Sequence, residues 1–160
     1  MPRLSQTESE TQATEPSDAT LRQFLGYNMK RAYLQVQEDM AETLAPFGLR
    51  VGTFSALAVL IASPGISQTQ LSNVLNIKRS GVVVVVDELE RAGVIERTAV
   101  KGDRRSYALK VTSAGRKLWD KAEAAVQAHE ARLFAGLSED EKAQLHRLLG
   151  RAAQVAAART

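Results

Sequence analysis

The stretch from Ser67 to Gly93 reads SQTQLSNVLNIKRSGVVVVVDELERAG, and the reading of its valine run decides the fold. Ser67-Gln68-Thr69-Gln70 has the form of a capping box, a hydroxyl at the N-cap with Gln three residues on. It predicts a short helix that buries Leu71, Val74 and Leu75, after which Asn76-Ile77 turn the chain. Val82 to Val86 are β-branched and alone favour a strand. Their surroundings predict otherwise. Asp87 to Ala92 continue without a break, Gly93 supplies a C-terminal stop, and Val82, Val85, Val86 and Leu89 share one helical face. Lys78 to Ala92 is therefore read as a helix, the second of a helix-turn-helix pair.

Downstream, Val94–Val100 and Ser106–Val111 alternate like strands, with Tyr107, Leu109 and Val111 on one face. Between them Lys101-Gly102-Asp103-Arg104-Arg105 makes a charged hairpin tip, so the two strands form a wing. Thr112 caps a long helix to about Phe134, and Ser138 with Glu141 opens a last helix to the C-terminus. Upstream, Leu21, Phe24, Leu25, Asn28, Ala32, Val36 and Met40 recur at helical spacing as far as Pro46-Phe47-Gly48. Val51 to Ala62 is apolar almost all round, the pattern of a helix buried among others. The fold class is mainly α, a winged helix-turn-helix (51–111) with about six helices and a two-stranded β-wing. Residues 1–20, in which Arg3 stands against Glu8, Glu10, Glu15 and Asp18, read as a disordered acidic tail, and 21–160 as a single domain.

Composition narrows the function. At 160 residues and 44% hydrophobic, the chain holds one proper core. The net charge of +3 sits on the body rather than the tail, which leans toward a polyanionic partner. With no cysteine, disulfides, thiolate catalysis and most structural zinc sites drop out. His129 and His146 read as surface or interface imidazoles, too few for a metal cage. No Ser/His/Asp set, phosphate-cradling loop or paired carboxylates point to an enzyme, so no catalytic residue, metal or cofactor is expected. The N-terminus lacks a secretory pattern, and the longest apolar run, Ala56–Ala62, falls short of the ~20 residues of a spanning helix. A cytoplasmic protein without a membrane partner is the expectation.

In a helix-turn-helix the second helix enters the major groove of DNA. Hydrogen-bonded readout is then expected of Lys78, Arg79 and Ser80, supported by Ser67, Thr69 and Gln70. Three stretches in order also resemble the multiple-antibiotic-resistance regulator (MarR) family: Leu44–Leu49, Leu89–Arg97, and Asp103-Arg104-Arg105 followed by Leu109, Val111-Thr112 and Gly115. The resemblance covers about Leu21 to Ala157. It implies a homodimer built from helices in 21–45 and 113–160, straddling pseudo-palindromic double-stranded DNA. The apolar faces with Leu118, Trp119, Leu133, Leu145, Leu148 and Leu149 suit that role. It also implies that Arg105 reaches a minor groove while Asp103 orients the loop, with Lys101 and Arg104 adding charge.

The recognition helix departs from the family pattern. Where a threonine and an arginine commonly stand, this chain has Val83 and Val84. Pointing outward, they pack on thymine methyls; on a rolled helix they pack against the protein. Both readings are open at this point. The resemblance further implies an anionic aromatic effector, a carboxylate or its thioester, in a crevice near Tyr27, Asn28, Arg31, Tyr33, Phe47, Phe54 and Ser55. The function expected is a DNA-binding transcriptional regulator, a repressor released by that effector. The alternative is a winged-helix module for protein contacts without DNA binding.

Overall fold

The computed structural model describes residues 16–100 and 103–157, with the backbone alone at 100, 103–106, 156 and 157. Among them are six α-helices and one two-stranded antiparallel sheet. The chain divides into two units, Met1–Leu34 and Gln35–Thr160, and the first helix, α1 (Leu25–Leu44), runs through the boundary.

In the first unit a 3-10 turn at Leu21–Gln23 precedes α1. The Asp18 carbonyl accepts the N–H groups of Leu21 and Arg22 at 2.9 and 3.1 Å. The Asn28 amide donates to the carbonyls of Arg22 (2.6 Å) and Phe24 (3.2 Å), which fastens the turn to the first turn of α1. Asp18 thus takes part in a bonded turn, although it lies in the stretch read from sequence as tail.

In the second unit α1 ends on Leu44, fully buried, and Gly48 turns the chain at φ 65°. α2 (Val51–Ala62) buries Ala56, Leu57 and Leu60. α3 (Gln68–Leu75) begins at the predicted cap, where Ser67 Oγ accepts the Gln70 N–H at 3.2 Å and Gln70 Oε1 accepts the Ser67 N–H at 2.9 Å. Asn76 takes the left-handed conformation (φ 50°), and the Ser72 hydroxyl donates to the Ile77 carbonyl at 2.7 Å, so the turn closes tightly. α4 (Arg79–Arg91) is helical through the whole valine run. Burial of one face of the run against α2 and α3 overrides its strand propensity.

β1 (Ile95–Val100) and β2 (Asp103–Val111) pair from Ile95↔Val111 to Ala99↔Tyr107, with a register irregularity at Ala99/Val100. β2 bonds on its other side too: Leu109 exchanges backbone hydrogen bonds with Gly65 and Ile66, both at 2.9 Å. α5 (Ser113–Leu133) starts where Thr112 Oγ1 accepts the Gly115 N–H at 3.0 Å. Gly115 admits no side chain, since a Cβ there would lie 2.1 Å from the Val94 carbonyl oxygen. α6 (Glu139–Ala157) opens on the predicted Ser138–Glu141 box.

Three expectations need correction. Val74 is exposed, because on eight-residue α3 the inward positions are Leu71, Ser72 and Leu75. His129 is fully buried, not at the surface, with Nδ1 2.6 Å from Asp39 Oδ2 on α1. Leu118 and Trp119, assigned from sequence to a partner-facing surface, pack on this chain's own core, and the Trp119 ring stacks on Phe54 at 4.9 Å.

Candidate nucleic-acid interface

The local rules that build α4 also decide what it displays. Val82, Val85 and Val86 are buried (1, 4 and 0% exposed), while Val83 and Val84 stand out at 43 and 52%. The helix is therefore not rolled, and its outer face carries two valines. Lys78, Arg79 and Ser80 at its start are exposed as well. Polar donors followed by apolar methyls thus occupy one outer surface of one helix.

Beside that surface lies a concavity of about 320 Å³, lined by Ser67, Gln68, Thr69, Arg79, Val82, Val83 and Tyr107. It draws together α3, α4 and β2. Arg79 Nη2 donates to Thr69 Oγ1 at 2.8 Å, a bond between the first turns of the two helices. Gln70 is occupied in the Ser67 box, so its amide oxygen serves the helix cap.

The display is braced from behind. Arg97 of β1 bonds to Asp87 and Glu90 of α4, and it is 23% exposed. The Gln68 amide, with its oxygen turned toward Arg97, accepts from Nη2 at 3.0 Å and Nε at 3.3 Å. One guanidinium therefore links wing, α3 and α4, and its single positive charge is shared between two carboxylates of α4. Arg50, at the start of α2, grips Glu88 with two bonds of 2.9 Å. That bond is the leading cause holding the Glu88 carboxyl below the usual carboxylate range.

Other predicted residues separate into groups. Lys101 lies outside the described residues, as do the side chains of Asp103, Arg104 and Arg105, whose backbone is in β2. In the first unit Tyr27 and Arg31 meet around the Asp18 carboxylate: the Tyr27 hydroxyl donates to it at 2.8 Å and Arg31 Nε lies 3.7 Å away. These bonds, with that from Arg22, lower the Asp18 pKa, the Tyr27 bond first. Asn28 is spent on backbone carbonyls, and Tyr33 is exposed. In the second unit Phe47 lines a cavity of about 490 Å³ with Leu49, Thr53, Leu89 and Leu118. Phe54 and Ser55 do not line it; Phe54 stacks on Trp119 and Ser55 is half-buried in α2.

Sequence reasoning gave no role to Tyr107, Arg97 or Asp18. Period-two alternation puts Tyr107 on the strand face of Leu109, yet it is 51% exposed while Leu109 is fully buried. A tyrosine ending an inner strand face was the available signal, since its polar tip favours the edge of a core.

Comparison with known proteins supplies the remaining findings. Residues 47–106 match the MarR family. The chain is 32% identical over 125 residues to an HTH-type transcriptional repressor of Mycobacterium tuberculosis, covering 78% of this chain and 90% of that one. A structure of the transcriptional repressor CouR bound to a 23-mer DNA duplex superposes with a TM-score of 0.83 at 38% identity, covering 88% of this chain and 99% of that one. CouR bound to p-coumaroyl-CoA gives 0.79 at 35% identity, with coverages of 87 and 98%.

Proposed function

The chain belongs to the MarR family of transcriptional regulators, and on that premise we propose that it is a sequence-specific DNA-binding repressor released by a small anionic aromatic ligand. The observation that carries the DNA reading is the outer face of α4. Lys78, Arg79 and Ser80 offer hydrogen bonds and charge, and Val83 and Val84 offer methyls suited to thymine. Ser67, Thr69 and Gln70 are proposed to support that face, and the proposed contacts also include Lys101, Asp103, Arg104 and Arg105 of the wing. Likeness to CouR, solved on a duplex, supports the same reading.

The dimer is part of this proposal. On α6, Leu145, Leu148, Leu149 and Val155 are 38 to 58% exposed, and Leu21, Phe24, Leu25, Met29 and Leu34 are exposed in the first unit. Apolar surface on this scale marks a partner site, and a second copy seated on residues 21–45 and 113–160 covers it. Residues 51–111 then form the reading lobe.

For the effector, the support is chemical. Tyr27 and Arg31 already hold a carboxylate, that of Asp18. Likeness to CouR, solved with p-coumaroyl-CoA, favours an aromatic acid or its thioester. No single helix among the described residues is long and apolar enough to cross a membrane; a cytoplasmic regulator is part of the proposal.

The test is selection of bound duplexes from random DNA, repeated with aromatic acids and their coenzyme A thioesters. An inverted repeat with half-sites about 10 bp or a multiple apart is expected, with the bound fraction falling when the right effector is present. Failure to enrich any duplex overturns the DNA reading. Light scattering that finds a monomer at micromolar concentration overturns the dimer.

A further inference from the structure

We propose that Tyr107, with Arg79 and Thr69, forms a clamp for one phosphodiester of the DNA backbone; the proposal rests on the DNA-binding reading above. The case begins with the guanidinium. Arg79 is tied at 2.8 Å to Thr69, a neutral hydroxyl, so that bond leaves the positive charge uncancelled. The same bond makes Thr69 Oγ1 an acceptor, which leaves its own proton to be donated elsewhere. Tyr107 lines the same concavity from the wing, with a phenol that donates or accepts.

Among the described residues the lining contains no carboxylate, so the space suits an anion. A guanidinium, a threonine hydroxyl and a tyrosine lining one concavity are phosphate-binding chemistry. The site does not rest on the helix terminus, since the Ser67 box already takes the Gln70 N–H of α3. Position selects the source of the phosphate. Val83 lines the concavity and is also one of the two exposed valines of α4. An anion held here therefore flanks the groove that the valines face, which makes it a backbone phosphate rather than a free ion. Tyr107 owes its place to β2: Leu109 fills the core, and two residues earlier the same strand face passes beyond the core edge.

The experiment uses the full-length protein and the duplex recovered by selection, with a neutral methylphosphonate placed at each backbone position in turn. Wild-type protein should lose about ten-fold in affinity at one position per half-site, the scale of a hydrogen-bonded charged contact. Tyr107→Phe should bind the native duplex several-fold more weakly and lose part of its sensitivity at that same position. Its melting temperature should not move, because Tyr107 is half exposed. Thr69→Val should act at the same phosphate, and Arg79→Gln should reduce the salt slope by about one while Tyr107→Phe leaves it unchanged. Equal affinity of wild type and Tyr107→Phe, or an unaltered methylphosphonate pattern, overturns the clamp with the DNA reading intact. If inorganic phosphate competes at millimolar concentration as well as the duplex does, the site is one for free anions and the proposal falls. Wild-type protein that binds no duplex removes the DNA reading itself, and the clamp with it.

Discussion

Val84→Ala separates two kinds of valine in one run. Val84 is 52% exposed, so truncation opens no cavity, and the change in folding stability should stay within about 0.5 kcal/mol. Alanine's better helix propensity works in the same direction. Val86, two residues on, is 0% exposed, and Val86→Ala should cost roughly 2 kcal/mol or more through lost burial and an imperfectly collapsed cavity. On DNA the order reverses. Packing a thymine methyl on Val84 is worth somewhat under ~0.8 kcal/mol, the value for burying one such group. Replacing thymine by uracil at the contacted position should therefore weaken wild-type binding by about two- to four-fold, and Val84→Ala should erase that ratio. The assay is fluorescence anisotropy on matched thymine and uracil duplexes, paired with urea unfolding of the same samples. An unfolding free energy lower by about 1 kcal/mol or more, the scale of a core truncation, with the thymine preference unchanged would refute the reasoning, because it would place Val84 in a core.

Further outcomes follow from the braces around that helix. Gly115→Ala should destabilise by about 3 kcal/mol, since the added Cβ meets the Val94 carbonyl and displaces the Thr112 bonds to Val94 (3.0 Å) and Gly93 (2.8 Å); urea unfolding checks it. Arg97→Met should leave Asp87 and Glu90 uncompensated on the recognition helix and weaken binding to every duplex by at least about ten-fold. Adding Asp87→Asn and Glu90→Gln to that variant should restore much of the loss. The Glu141 carboxyl titrates below its ordinary value of 4.5, held down first by the Ser138 backbone N–H and then by its hydroxyl. Because the folded pKa is the lower one, this capping contribution is complete above the unfolded value and lost as pH falls through the folded one. Carboxyl NMR should show Glu141 returning toward its ordinary value in Ser138→Ala.

Much of the architecture was legible because its signals are local. Ser67 with Gln70, Thr112 with Gly115, and Ser138 with Glu141 are caps whose partners lie three residues away, and all three form as read. The valine helix was legible from periodicity against propensity, and its exposed pair follows from the same geometry. What sequence could not supply was long-range pairing. His129 reads as a surface residue until Asp39, ninety positions upstream, is placed beside it. Trp119 looks available to a partner until Phe54 of α2 stacks on its ring. Tyr107 shares the strand face of Leu109, and only the depth of the core under β2 leaves it half exposed. For the candidate site, residue types were readable but their grouping was not. The bond that ties Arg79 to Thr69 joins two helices across the turn, and no spacing rule announces it.

That same bond has a consequence for the entropy of recognition. A solvent-exposed arginine samples many rotamers, and immobilising a side chain of this kind at a contact costs about 0.5–1.5 kcal/mol. Thr69 restricts Arg79 before any partner arrives, so folding bears part of that cost and association is relieved of it. Thr69→Val should then leave the guanidinium present but wandering. Calorimetry would register a less favourable association entropy for a contact whose charge has not changed.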